Sequence, residues 1–189
     1  AMSAGDPASL QELVQALILI GSQLLDKGRW LLLERLGDGF VFWVKSSSSP
    51  DFIYEKSVSI LYNMMKRDYL TGRYEQADRI LDLGYSIHTG SIQKPTPVQA
   101  LVRRIHSRGA DDSVFKKLLG SCLAGKDDEA FTIRFEKLGS PAVSFLVDFL
   151  IASKEAEERR RITEMLTRMG EAVEPVLLSK LAEDAPWNA

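Results

Sequence analysis

FTIRFEKLGSPAVSFLVDFL, residues 131 to 150, and ITEMLTRMGEAVEPVLLSKL, residues 162 to 181, carry one pattern written twice. Phe131, Phe135, Leu138, Gly139, Phe145, Leu146 and Leu150 are answered by Ile162, Leu166, Met169, Gly170, Val176, Leu177 and Leu181, each 31 positions later. The first three of each set fall at i, i+4 and i+7, one stripe of an amphipathic helix; the last three fall at i, i+1 and i+5, again one face. Gly139 and Gly170 stand where a left-handed residue ends a helix, and Pro141 stands where a helix begins. Helices this short are marginal alone, so a fixed period implies pairs stacked on one another.

Working outward, residues 97–124 read as a degenerate first unit. Val114, Phe115 and Leu119 lie 31 positions before Phe145, Leu146 and Leu150, while Leu101, Ile105 and Gly109 lie 30 before Phe131, Phe135 and Gly139. The expected array is then 97–124, 127–153 and 154–184, about the minimum number of units for a stable stack. His88 to Pro97, with a glycine and two prolines, marks the boundary to an N-terminal helical segment over residues 1–90. The expected fold is all-α, an α/α superhelix.

Over residues 127–184 the chain resembles the HEAT-repeat family, in its short bacterial, phycobilisome-lyase-like variety. The matching text is Leu138-Gly139-Ser140-Pro141-Ala142-Val143 with Phe145-Leu146 and Leu150, then Met169-Gly170-Glu171-Ala172-Val173 with Pro175-Val176-Leu177 and Leu181. Asp184 to Ala189, with Pro186 and Trp187, resembles the opening of another such unit, so a longer array is expected. The resemblance implies a non-enzymatic scaffold or adaptor that binds a protein or peptide. Bilin lyases with related repeats supply an enzymatic alternative, for which Cys122 is the one thiol at hand. An array lacking its next unit would expose Val176 and Leu177, so self-association through the C-terminal helix is a further expectation.

Within the N-terminal segment, residues 1–7 are small and polar and expected to fray. Ser9 and Glu12 form a capping-box pattern opening a helix whose apolar face is Leu10, Leu13, Val14, Leu17, Ile18 and Ile20, ending near Asp26 to Gly28. Residues 30–44 are ambiguous. Asp38-Gly39 between apolar runs is a hairpin signal and Phe40 to Val44 has strand propensity, but an isolated two-stranded hairpin is marginal, which favours a helix. Ser49-Pro50-Asp51 opens a helix to about Leu70, Thr71-Gly72 breaks it, and a second helix runs to His88. Tyr69, Gly72, Tyr74, Ala77 and Leu81 resemble a single tetratricopeptide-type hairpin, read here as a generic helical pair.

Composition narrows function. The apolar run Leu13 to Ile20 is broken by Gln15 and far too short to span a membrane, and no signal-peptide pattern precedes it. A bacterial cytoplasmic location is expected. The net charge of -2 offers no global field for nucleic acid. The middle of the chain is locally basic, with Lys94, Arg103, Arg104, His106, Arg108, Lys116 and Lys117, but a solvated face is the favoured reading, as it is for Arg159-Arg160-Arg161 after Glu155, Glu157 and Glu158. A nucleic-acid interface remains the alternative, to be read out by salt-sensitive affinity.

Patterns that carry chemistry are missing. His88 and His106 have no partner at metal-ligand spacing, Gly37-Asp38-Gly39 lacks a phosphate-loop context, and no cofactor or catalytic set is expected. Asp111-Asp112 and Asp127-Asp128 sit at helix starts, where carboxylates cap N–H groups. Cys122 among Leu118, Leu119 and Leu123 reads as a buried thiol, and Trp30, Phe40, Phe42 and Trp43 read as core. Lys117, Asp148 and Ser179 recur every 31 residues on the second helices, and this column is the candidate partner-binding surface.

Overall fold

The computed structural model describes residues 7–125 and 128–183, which fall into two compact units dividing between Gly109 and Ala110. Every regular element among the described residues is helical, so the all-α expectation holds. The first unit contains α1 (Pro7–Asp26), α2 (Trp30–Ser46), α3 (Phe52–Leu70), α4 (Tyr74–His88) and α5 (Thr96–His106). The second contains α6 (Asp112–Leu123), α7 (Asp128–Leu138), α8 (Ser140–Ala152), α9 (Ala156–Met169), a 3-10 turn (Gly170–Ala172) and α10 (Glu174–Glu183).

Helix α3 is the hub of the first unit and packs on α1, α2, α4 and α5. Its sequence explains why: Ile53, Tyr54, Val58, Ile60, Leu61, Tyr62, Met64, Met65 and Tyr69 are all buried, more than one stripe, as a helix surrounded by neighbours requires. Asp51 caps it, accepting from the Tyr54 amide at 2.8 Å. The ambiguous stretch 30–44 lies in one helix, α2, with Leu33, Phe40, Trp43 and Val44 in the core; the hairpin signal at Asp38-Gly39 is overridden because α1 and α3 cover a helical face. Helix α1 already includes Pro7, so Ser9 lies inside the helix and does not open it. Val14 and Ile18 are buried, but Leu13 and Ile20 face out, so the expected apolar face is narrower in fact.

The second unit has the connectivity of a stacked array. Helix α7 packs on α8 and α9, α8 on α9 and α10, and α6 on α7 and α8, so first helices meet first helices and second meet second. Phe131, Phe135, Leu138, Leu146, Ile162, Leu166 and Met169 are buried as the period requires. Gly139 (φ 78°) and Gly170 (φ 58°) are both left-handed. The copies differ at the turn: α8 starts at once, with Pro141 in its first turn, whereas α10 waits until Glu174, with Pro175 second, and a 3-10 turn fills the gap. The inner face of α8 is Ala142, Val143, Leu146 and Val147, with Phe145 and Leu150 only half-buried. Asp111 caps α6 as expected, through the amides of Ser113 and Val114.

The boundary expected at 88–97 is corrected. Helix α5 belongs to the first unit, where it packs on α3 and α4, so residues 97–124 are not one degenerate repeat. Its buried side chains are Val98, Val102 and His106, and His106 meets Tyr62 of α3 and His88 of α4. The expectations for Asp127, Asp184 to Ala189 and the fraying terminus before Pro7 fall outside the described residues, as do the side chains of Leu10 and Leu181.

Candidate functional site

Helices α2 and α4 flank α3, each antiparallel to it. Trp30 and Glu34 at the start of α2 meet Arg67 near the end of α3, while Tyr54 at the start of α3 donates to the Val44 carbonyl at 3.2 Å. On the other side Tyr69 donates to Asp78 at 2.8 Å. The two flanking helices therefore run parallel and leave a groove of about 500 Å³ between them, floored by Leu61 and Met64 of α3 and walled by Val41, Ile80 and Leu83.

Both ends of the groove are cross-braced. At one end Glu34 of α2 accepts from Arg67 at 2.6 Å and from Arg73 at 2.5 Å. Arg73 also binds Asp68, whose side chain is only 4% exposed. Hydrogen bonding from Arg73 holds the Glu34 carboxyl below its ordinary range, although burial opposes it. Burial dominates at Asp68 and raises its pKa against the pull of Arg73. Arg73 is correspondingly held above its ordinary value, chiefly by Glu34.

At the other end Lys94 donates to the carbonyls of Lys45 and Ser47, each at 2.5 Å, and burial lowers its pKa. Together with Tyr54 on Val44 and the Ser47 amide on Trp43, this gives the carbonyls of Trp43, Val44 and Lys45 in the last turn of α2 their partners. Lys94 is thus a helix clamp, not part of a solvated basic face.

Three rim residues are different. Asp38 and Lys45 on α2 and Arg79 on α4 are exposed and join no ion pair among the described residues. The groove between the braces runs from Glu34 to Lys45, roughly 16 Å at about 1.5 Å per helical residue.

The residues singled out in the sequence are placed as follows. Lys117 on α6, Asp148 on α8 and Ser179 on α10 are all exposed, on three helices of one layer. Asp148 pairs with Lys180 at 2.8 Å, which ties α8 to α10. His106 is 5% exposed, its Nδ1 2.6 Å from the Tyr62 hydroxyl, and His88 stacks on it with ring centres 4.9 Å apart. Burial, then the neighbouring His106, depresses the His88 pKa, and burial raises that of Tyr62. Cys122 is fully buried with its Sγ 3.6 Å from Met165 Sδ. Phe40 and Trp43 are core, Phe42 is 60% exposed, and Trp30 lies under the Arg67 guanidinium at 5.0 Å. Arg160 makes the solvated pairs expected of its run, with Glu157 and Glu164, but Arg161 turns inward and donates to the carbonyls of Leu123 and Cys122 at 2.9 and 2.8 Å. No group of three or more His, Cys, Asp or Glu is placed to hold a metal among the described residues, and no helix there is long and apolar enough to cross a membrane.

The groove residues were not found by sequence reading. Glu34 is 33 positions from Arg67 and 39 from Arg73, so no local spacing could signal the brace.

The chain matches no protein-family model, no curated protein and no solved structure. Its fold places it among all-α proteins of helical-repeat type.

Proposed function

We propose that the protein is an adaptor that holds a short amphipathic helix of a protein partner in the α2–α4 groove. The observation that carries this reading is a preformed groove, apolar at its floor and braced at both ends, with Asp38, Lys45 and Arg79 uncommitted along its rim. The walls are helices whose backbone groups are already bonded internally, so an extended strand would find nothing to pair with; a helix satisfies its own backbone. About three turns of helix fit between the braces. The occupant would set apolar side chains on Val41, Leu61, Met64 and Leu83 and offer a cation to Asp38 and a carboxylate to Arg79.

The second unit fits this role as a HEAT-type stack that presents further surface, with Lys117, Asp148 and Ser179 as its candidate column. The test is a displayed library of helical peptides selected on the whole chain. Selected peptides should carry apolar residues at i, i+3 or i+4 and lose about tenfold or more in affinity on Val41→Glu or Arg79→Glu. Lys117→Ala and Asp148→Asn serve as controls outside the groove. Peptides that bind all four variants like the native chain would overturn the groove as the binding site.

A further inference from the structure

A second cleft in the first unit has the opposite character. It lies between α3 and the C-terminal end of α5, has a volume of about 440 Å³, and is lined by charged and polar groups: Lys66, Ser59, Asn63 and Glu55 on α3, Arg104 on α5 and Arg108 in the turn just after it. Arg108 stands in the turn that follows α5 and lines the same cleft as Arg104. Lys66 faces them from α3, and Ser59 and Asn63, again one turn apart, complete the wall. Arg104 and Arg108 stand against one carboxylate, Glu55, in this lining, within a chain whose net charge is -2.

The one carboxylate is weakly committed. Glu55 accepts from Arg104 at 2.9 Å, but both side chains are about half exposed, 45% and 56%, and such a pair contributes little. Arg108 joins no ion pair among the described residues. Packing does not require this gathering of like charge, since α5 is held to α3 by His106 and Val102. A compact dianion is the species that would relieve it, and guanidinium forks match phosphate oxygens in geometry as well as in charge.

Lys94 is clamped on α2 and His106 is buried against Tyr62, so neither extends the charge of the cleft. The volume lies in the range of small-ligand sites.

We propose that the α3–α5 cleft binds the phosphate monoester of a small organic molecule. Arg104 and Arg108 grip the phosphate, Lys66 faces it, and Ser59 and Asn63 meet the organic part. Glu55 is the internal competitor that the phosphate displaces from Arg104.

Isothermal titration of the whole chain with AMP, ribose 5-phosphate, inorganic phosphate and adenosine tests this. Both monoesters should bind in a salt-sensitive manner and adenosine should not. Arg108→Gln should weaken binding about tenfold, and Glu55→Gln should tighten it several-fold. Lys154→Gln, in the other unit, should leave it unchanged. Helical circular dichroism verifies each variant's fold, and the gain expected from Glu55→Gln cannot be mimicked by misfolding. The proposal is overturned if neither monoester binds at about 1 mM, or if Arg108→Gln and Glu55→Gln bind like the native chain. It is equally overturned if a single-stranded oligonucleotide or a phosphopeptide binds far more tightly than either monoester.

Discussion

A methyl group added at Gly84 would lie 2.9 Å from Tyr62 Cζ and closer still to its hydroxyl, and one added at Gly109 would lie 2.6 Å from Cε1. Two glycines from different segments therefore shape one slot, and the phenol that fills it satisfies the buried His106. Gly84→Ala should overpack this slot and cost about 1–3 kcal/mol. Tyr62→Phe should cost a similar ~1–3 kcal/mol by removing the hydroxyl that bonds His106 Nδ1. Because the hydroxyl is the nearest atom to the new methyl, the double variant should lose less than the sum of the two. Urea midpoints for the four chains measure the coupling, and strict additivity would contradict the geometry.

At the same place pH acts through His88, whose charged form is disfavoured by burial, by His106 and by Arg103, with Tyr85 and Tyr62 the neutral rings around the pair. The native pKa lies below the ordinary value near 6.5, so on acidification the unfolded chain takes the proton first. The stability from this site is complete above about pH 6.5 and declines as pH falls from there through the depressed native value. His88→Gln should lessen the loss of urea midpoint between about pH 7.5 and about pH 5.5. An unchanged loss would show that His88 is not its source.

Among the elements, α6 is held by a side chain that sequence reading assigned to solvent. Arg161 of α9 closes the C-terminal carbonyls of α6 with two bonds. Arg161→Met should cost about 1–3 kcal/mol, and Arg161→Lys less, because an ammonium keeps the charge but not the fork. Faster amide exchange confined to the last turn of α6 would accompany the loss; native exchange there would refute the clamp. Arg160 and Arg161 show why this was illegible: adjacent residues on one helix point about 100° apart, and a run of charges does not say which member faces a neighbour. Helix α5 was misassigned for a related reason. Apolar periodicity identifies a helix and its face, but Val98 and Val102 do not name the helix they pack against. The pair α7–α8 was legible because the partner is the next element in the chain, and the fixed period carries the stacking of α7 on α9 and of α8 on α10.

At the scale of the molecule, the all-helical architecture could be read from periodicity, while the candidate sites could not. The groove depends on α2 and α4 lying parallel across α3 and on Glu34 meeting residues 33 and 39 positions away. The α3–α5 cleft depends on Arg104 facing Glu55 across 49 positions. Charge runs had drawn attention to the middle of the chain, but the structure removes Lys94 and His106 from that set and adds Lys66.

The two glycines inside α2 have a consequence for the order in which the chain takes shape during synthesis. Gly37 and Gly39 each weaken a helix by about 1 kcal/mol relative to alanine, so the 17-residue α2 has little tendency to form alone. What stabilises it comes later in the chain: Met64 of α3 fills the notch at Gly37, 3.0 Å from where a Cβ would stand, and Tyr54 and Lys94 reach its last carbonyls. A nascent chain emerging from the ribosome thus carries α2 as an unfinished segment until α3 has followed it out. The wall and the floor of the groove then appear together, in one cooperative event, and Lys94 locks the far end last.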